Sequence, residues 1–288
     1  MSDMPDYGRL AAVGPYFALA GGGADEGPPP GFRPLAAFYA PGPDGPLADR
    51  VREVAGRLGT AEPRVAASVL HLGLAARICS VGLGAAVLLD EVPRLEPDRA
   101  WIRVPDQGPV DLWVPYAPAS ADRTDPLADR FRRTVVEGQL ADLAAAVRAV
   151  VPLSDGLLRG NAASALAGAL RILEAHTAHD TDTRTSTGTG TDTRTSTGTG
   201  TGTGEPATRT GRTTWPHSPS RTSPFRPSPA RALVADVLDR PPLAGTGTLT
   251  GTPSGTAFRR TSCCLYYRIG PRAGVCGDCC FTRPPARR

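Results

Sequence analysis

Between Val65 and Leu89 the chain reads VAASVLHLGLAARICSVGLGAAVLL, apolar nearly all the way round a helix and interrupted only by His71, Arg77 and small residues. A helix without a polar face has no side to give to water, so it belongs at the centre of a domain with other elements wrapped round it. Pro63 opens the run, and Gly82-Leu83-Gly84 leaves two forms open, one long helix or two helices broken there. No window reaches the roughly eighteen uninterrupted apolar residues of a membrane span. The first ten residues are acidic and lack the basic region and apolar core of a secretory signal. A soluble cytoplasmic protein with no membrane span is expected.

The cover for that helix is legible on both sides. Leu47, Val51, Val54, Ala55 and Leu58 repeat with helical spacing, with Asp49, Arg50, Arg52 and Glu53 on the opposite face. Leu127 to Val151 forms a second amphipathic helix, with Arg130, Arg132 and Arg133 assigned to its solvated face. Ser154-Asp155 is a start signal for a third helix over 156–175, whose Asn161-Ala162-Ala163-Ser164-Ala165 stretch permits close packing. Asn161, the sole asparagine of the chain, suits either a structural hydrogen bond or a ligand contact. Between these helices, Trp101-Ile102-Arg103-Val104 and Val110-Asp111-Leu112-Trp113-Val114 flank a Pro-Asp-Gln-Gly-Pro turn and predict a β-hairpin. Trp101 and Trp113 are expected as core anchors rather than as the lining of a ligand site. Residues before 46 read as irregular, with one short helix near Tyr7 to Ala20 and a Gly/Pro-rich connector after it.

After Glu174 the composition changes abruptly. TDTRTSTGTG occurs at 181–190 and again at 191–200, followed by further Thr-Gly repeats and a Pro/Ser/Arg-rich stretch. With no apolar residue between Asp180 and Gly204, the segment cannot offset its ordering entropy by burial, so 176–227 is expected to be a disordered insertion. His176 and His179 form an H-x-x-H at its edge, without the acidic or cysteine partner a metal site needs. Ser228-Pro229 then signals a helix over 230–238, and Gly245 to Gly255 reads as a flexible lead. The fold class is mainly α with a small β-hairpin, α+β in all. A scaffold over 1–175 and the insertion over 176–227 precede a C-terminal module over 228–288.

Five of the six cysteines fall in that module, as Cys263-Cys264, eleven intervening residues, Cys276, two residues, Cys279, then Cys280. Clustered thiolates select zinc or an iron-sulfur cluster over magnesium or calcium. Gly277 lets Cys276 and Cys279 converge on one side. Adjacent cysteines in an extended chain point to opposite faces, so Cys263 and Cys264 share a centre only if the chain turns there. A cluster of two irons offers more directions of approach than one zinc ion does, which favours iron-sulfur over Zn²⁺. The sixth cysteine, Cys79, lies in the apolar run as a buried core residue. All 32 basic residues are arginine, and the formal net charge of +4 is too small to argue for nucleic acid.

The stretch Arg259-Arg260-Thr261-Ser262-Cys263-Cys264-Leu265-Tyr266-Tyr267-Arg268, with Cys276-Gly277-Asp278-Cys279, resembles the C-terminal signature of the FhuF-like ferric siderophore reductases. Leu157-Leu158-Arg159-Gly160-Asn161 is similar to an upstream stretch of the same family. The resemblance implies a 2Fe-2S cluster held by Cys263, Cys264, Cys276 and Cys279. It also implies one-electron reduction of a ferric siderophore by way of a separate electron donor. The gap between the cysteine pairs is one residue longer than the family's usual one, and Cys280 is an added thiol, so Cys279 and Cys280 both stand as fourth ligand. Arg259, Arg260 and Arg268 are candidate contacts for substrate or donor; Tyr266 and Tyr267 are packing residues. Two other readings stay open, a zinc-binding interaction module and an iron-sulfur redox sensor.

Overall fold

The computed structural model describes residues 6–23, 26–116, 124–186, 228–252, 255–270 and 273–285. Helix α4 (Pro63–Leu89) is a single rod through the middle of the scaffold, unbroken at Gly82-Leu83-Gly84. The glycines serve close packing instead: a Cβ on Gly82 would lie 2.8 Å from Val135 and one on Gly84 2.7 Å from Phe17. Length and hydropathy would also suit α4 to a membrane span, and here 67% of its most apolar stretch is buried by the surrounding elements.

Those elements arrive in order. Helix α1 (Gly8–Val13) is followed by strand β1 (Ala20–Gly22), strand β2 (Arg33–Pro34), helix α2 (Leu35–Phe38) and helix α3 (Pro46–Leu58). After α4 come strands β3 (Trp101–Arg103) and β4 (Asp111–Pro115). The predicted hairpin is present, with Trp101 opposite Trp113, and it is the middle of a four-stranded sheet in the order β1-β4-β3-β2. The two outer strands were not foreseen in a segment read as irregular. Trp113 is buried among core residues, as expected of an anchor.

The segment predicted as one amphipathic helix is α5 (Leu127–Phe131), a π-helical stretch (Arg132–Gln139) and α6 (Leu140–Val150). Arg130 corrects the assignment of its face: it is buried, and it donates to the Asp90 carboxylate at 2.8 Å. Asp90 is the left-handed residue that ends α4, so the guanidinium sits where the helix dipole favours a cation. Arg77, which interrupts the apolar run in sequence, is likewise satisfied by carbonyls. It donates to Val110 at 2.8 Å, to Tyr16 at 2.6 Å and to Ala18, clamping α4 to β4 and to the N-terminal segment.

Helix α7 (Asp155–Ser186) packs along α4 and continues into the region expected to be disordered from 176; the remainder of that region, 187–227, lies outside the described residues. Helix α8 (Pro229–Asp239) starts as the sequence signals, with the Ser228 hydroxyl accepting from the Arg231 amide. Strands β5 (Gly247–Thr252) and β6 (Gly255–Arg260) then form an antiparallel ribbon where a flexible lead was expected. Gly247 allows it, because a Cβ there would lie 2.3 Å from the Phe258 ring. Glu174 on α7 ties this ribbon down through the Thr256 hydroxyl at 2.6 Å and Arg231 at 3.4 Å.

Candidate metal centre

Along β6 the residues Thr256, Phe258 and Arg260 are buried in alternation, as the two-residue period of a strand demands. The strand delivers the chain to Cys263 directly over α7. At that crossing Gly160 leaves room for the module: a Cβ on it would come within 2.1 Å of the Ser262 hydroxyl and 2.9 Å of the Arg260 guanidinium, and both side chains would have to shift. Asn161 beside it donates to the Ser68 carbonyl at 3.0 Å, and the Ser68 hydroxyl donates to the Cys264 carbonyl at 2.7 Å. Asn161 is thus a structural hydrogen-bonder, and the 157–161 stretch is the floor of the cysteine module.

Leu265 occupies the left-handed region (φ 65°). This is the turn that adjacent cysteines require, and the helical turn Tyr266–Arg268 follows it. The Leu265 amide donates to the Cys263 sulfur at 3.2 Å, and the Phe281 amide donates to the Cys279 sulfur at 3.3 Å. The amides of Tyr266 and Asp278 favour charge on Cys264 and Cys276 in the same way. One cysteine of each pair, Cys263 and Cys279, therefore accepts from the N–H of the residue two further on, a contact that suits a thiolate ligand. Cys280 has no such amide among the described residues.

The Cys264 and Cys276 sulfurs meet at 3.4 Å and join the two halves of the motif. Their shared proton draws Cys264 below the ordinary thiol range, with the Cys276 hydrogen bond as the main cause, and holds Cys276 above it. Burial raises Cys263, which also senses Cys264, Cys280 and Cys279. Cys79 is remote from all of these, fully buried, its thiol pushed up to about 12 by desolvation. Among the described residues no three ligating side chains converge as they would around a single ion. The Cys264–Cys276 contact brings one sulfur of each pair together, and soft thiolate donors of this kind suit an iron-sulfur cluster or zinc. The donor set and its amides fit a 2Fe-2S group.

Asp278 fixes the second half of the motif. Its buried carboxylate accepts from the Ser164 hydroxyl and from Arg171 at 3.1 Å, both on α7, and its carbonyl accepts from the Arg260 amide at 3.0 Å. Sequence reasoning passed over Ser68, Ser164 and Arg171. The spacing of Leu157, Asn161, Ser164 and Arg171, one stripe of α7, was the available signal. Replacing Asp278 with Ala should lower unfolding stability by about 2 kcal/mol, the scale of a buried charge-assisted hydrogen bond; urea titration of the full chain measures it.

Residues 260–281 match the family model described as the FhuF 2Fe-2S C-terminal domain. This chain carries an FhuF-type 2Fe-2S domain. The match begins at Arg260 and ends at Phe281, taking in both cysteine pairs and the turn between them. Comparison of the chain with curated proteins returns no match. The three arginines predicted at the FhuF-type site part company. Arg259 is exposed and donates to the Cys280 carbonyl at 3.2 Å. Arg268 pairs with Glu62 at 2.9 Å. Arg260 is 2% exposed, which removes it from any contact with a substrate or donor at the surface. Tyr267 packs edge-on against Phe281 at 6.0 Å, and Tyr266 is exposed beside it. His176 shares no metal-binding group among the described residues, and the side chain of His179 lies outside them.

Proposed function

We propose that this chain is a cytoplasmic ferric siderophore reductase, holding a 2Fe-2S cluster on Cys263, Cys264, Cys276 and Cys279. The observation that carries the reading is a cysteine of each pair, Cys263 and Cys279, accepting from the amide two residues on, with Cys264 and Cys276 in contact between the pairs, inside a domain described as 2Fe-2S binding. The Phe281 amide on the Cys279 sulfur supports Cys279, rather than Cys280, as the fourth ligand. Such a cluster, when bound, supplies one-electron transfer, near ~−400 mV for all-thiolate centres of the plant-ferredoxin type.

The chain's own residues do the rest. The module is held rigidly on α4 and α7 by Ser68, Ser164 and Arg171, so little rearrangement accompanies a change of charge. Exposed Tyr266 and Phe281 mark its outer face, and Arg259 and Arg283 add positive charge there. That charge attracts an anionic iron chelate or an acidic electron donor. Hard oxygen ligands bind ferrous ion far more weakly than ferric ion, so one electron passed from donor to chelate releases the iron. No proton transfer or covalent step is required. Six free cysteines accord with a reducing compartment.

The test is single turnover. Anaerobically purified protein is reduced with dithionite, freed of excess reductant, and mixed with ferric hydroxamate, catecholate or citrate chelates in the presence of a ferrous-specific dye. One ferrous ion per electron, with recovery of the oxidised visible spectrum, is expected for at least one chelate. A protein that stays reduced with all three overturns the reductase reading, and a colourless protein carrying about one zinc establishes the four-thiolate structural site instead.

A further inference from the structure

Three arginines are buried among the described residues, Arg77, Arg130 and Arg260. Arg77 donates to three carbonyls, and Arg130 has the Asp90 carboxylate. Arg260 has neither. Its one side-chain hydrogen bond runs from Nη2 to the Leu157 carbonyl at 3.3 Å, while Nε and Nη1 have no partner. No carboxylate pairs with it among the described residues. A guanidinium taken out of water in this way costs several kcal/mol unless an anion compensates it. The residues around it add to the imbalance: the Ser262 hydroxyl and both ring nitrogens of His71 are buried and unpartnered.

The position of Arg260 indicates what the missing anion is. The residue stands three before Cys263, and its amide is bonded to the carbonyl of Asp278, between Cys276 and Cys279. Its side chain lies on the inward face of β6, between the cysteine module and α7. It favours charge on both Cys264 and Cys280. A four-thiolate 2Fe-2S cluster is a dianion when oxidised and a trianion when reduced.

We propose that Arg260 is the buried counter-cation of the cluster, a positioning residue that sets its reduction potential rather than a contact for substrate. The guanidinium stabilises the reduced form more than the oxidised one because the added electron increases the negative charge facing it. Screening by water is weak there, unlike at Arg259 on the surface. The inference rests on the cluster half of the proposed function and is independent of which chelate is reduced.

Dye-mediated redox titration of the full-length protein, followed in the visible spectrum, tests it. Arg260→Gln and Arg260→Met should each retain iron and sulfide and be at least about tenfold harder to reduce, a shift of about 59 mV to more negative potential for one electron. Arg260→Lys, which keeps the charge, should stay near wild type, and Arg259→Gln should move less than about threefold because its charge is screened. Loaded neutral variants with an unchanged potential overturn the proposal. Should neither neutral variant load, the metal-free chains decide. An uncompensated buried charge makes Arg260→Met more heat-stable than wild type, and an equal or lower Tm overturns the inference. A colourless zinc protein overturns both this proposal and the cluster reading. A red-brown protein inert to ferric chelates overturns only the reductase reading.

Discussion

Replacing Cys264 with Ser should yield a colourless protein. Cys264 is the buried cysteine that touches Cys276 across the motif, so under the proposed ligand set its loss removes one donor and the link between the two pairs. Serine keeps the shape but offers a hard, protonated oxygen where the irons need soft thiolate. Visible absorption and iron and sulfide analysis of anaerobically purified protein should fall to near nothing, and the same holds for Cys263→Ser, Cys276→Ser and Cys279→Ser. Cys280→Ser should keep the full complement, because among the described residues its sulfur lacks an amide such as the one Cys279 accepts from. Cys79→Ala, remote and fully buried, should keep it too. A coloured Cys264→Ser protein with unchanged iron content would sink the ligand assignment, and a coloured Cys279→Ser protein alone would transfer the fourth position to Cys280.

The second large effect is acid sensitivity carried by one side chain. His71 lies inside α4 with neither ring nitrogen partnered. Burial first, and the Arg260 charge second, lower its pKa from 6.5 to about 4. The unfolded chain binds a proton that the folded one refuses. The contribution of His71 is therefore complete above pH 6.5 and is lost as the pH falls from 6.5 toward 4, by about 3 kcal/mol in all. Urea midpoints of wild type and His71→Leu should diverge over that range, the variant losing less. At pH 7.5 the variant should be no less stable, because leucine removes buried atoms that lack partners. Parallel curves from pH 7.5 to 4.5 would show that the imidazole does not feel the burial.

The elements that could be read from sequence are those whose own pattern decides them. Helix α4 has no polar face, α3 has a clear one, and α8 carries its serine cap and first-turn proline. The cysteine spacing announced its chemistry without any knowledge of the fold. What stayed hidden depends on partners distant in the chain. Strands β1 and β2 have three and two residues, too few for an alternation to show, and they exist because the Trp101–Trp113 hairpin offers them edges. The β5–β6 ribbon is built from threonine and glycine, a composition that suits a loop as well as a strand whose neighbour's aromatic ring needs room. Arg260 was read with Arg259 and Arg268 as a contact for substrate or donor, a role its burial excludes. Counting by twos from Phe258 places it inward, but that count needs the strand first. Arg130 went the same way, since only the end of α4 beside it explains a buried guanidinium.

The contacts that seat the cysteine loop on α4 and α7 come from residues a hundred positions or more before it: Ser68 to Cys264, Leu157 to Arg260, Ser164 and Arg171 to Asp278. A ribosome makes that platform before the thiols. Helices α4 and α7 can pair before a single sulfur of the motif has left the exit tunnel, as N-terminal units commonly do during synthesis. The thiols then arrive at a finished surface with their amides already dictated by the turn. Ordering of the cysteine loop in consequence follows the making of its platform and depends on it.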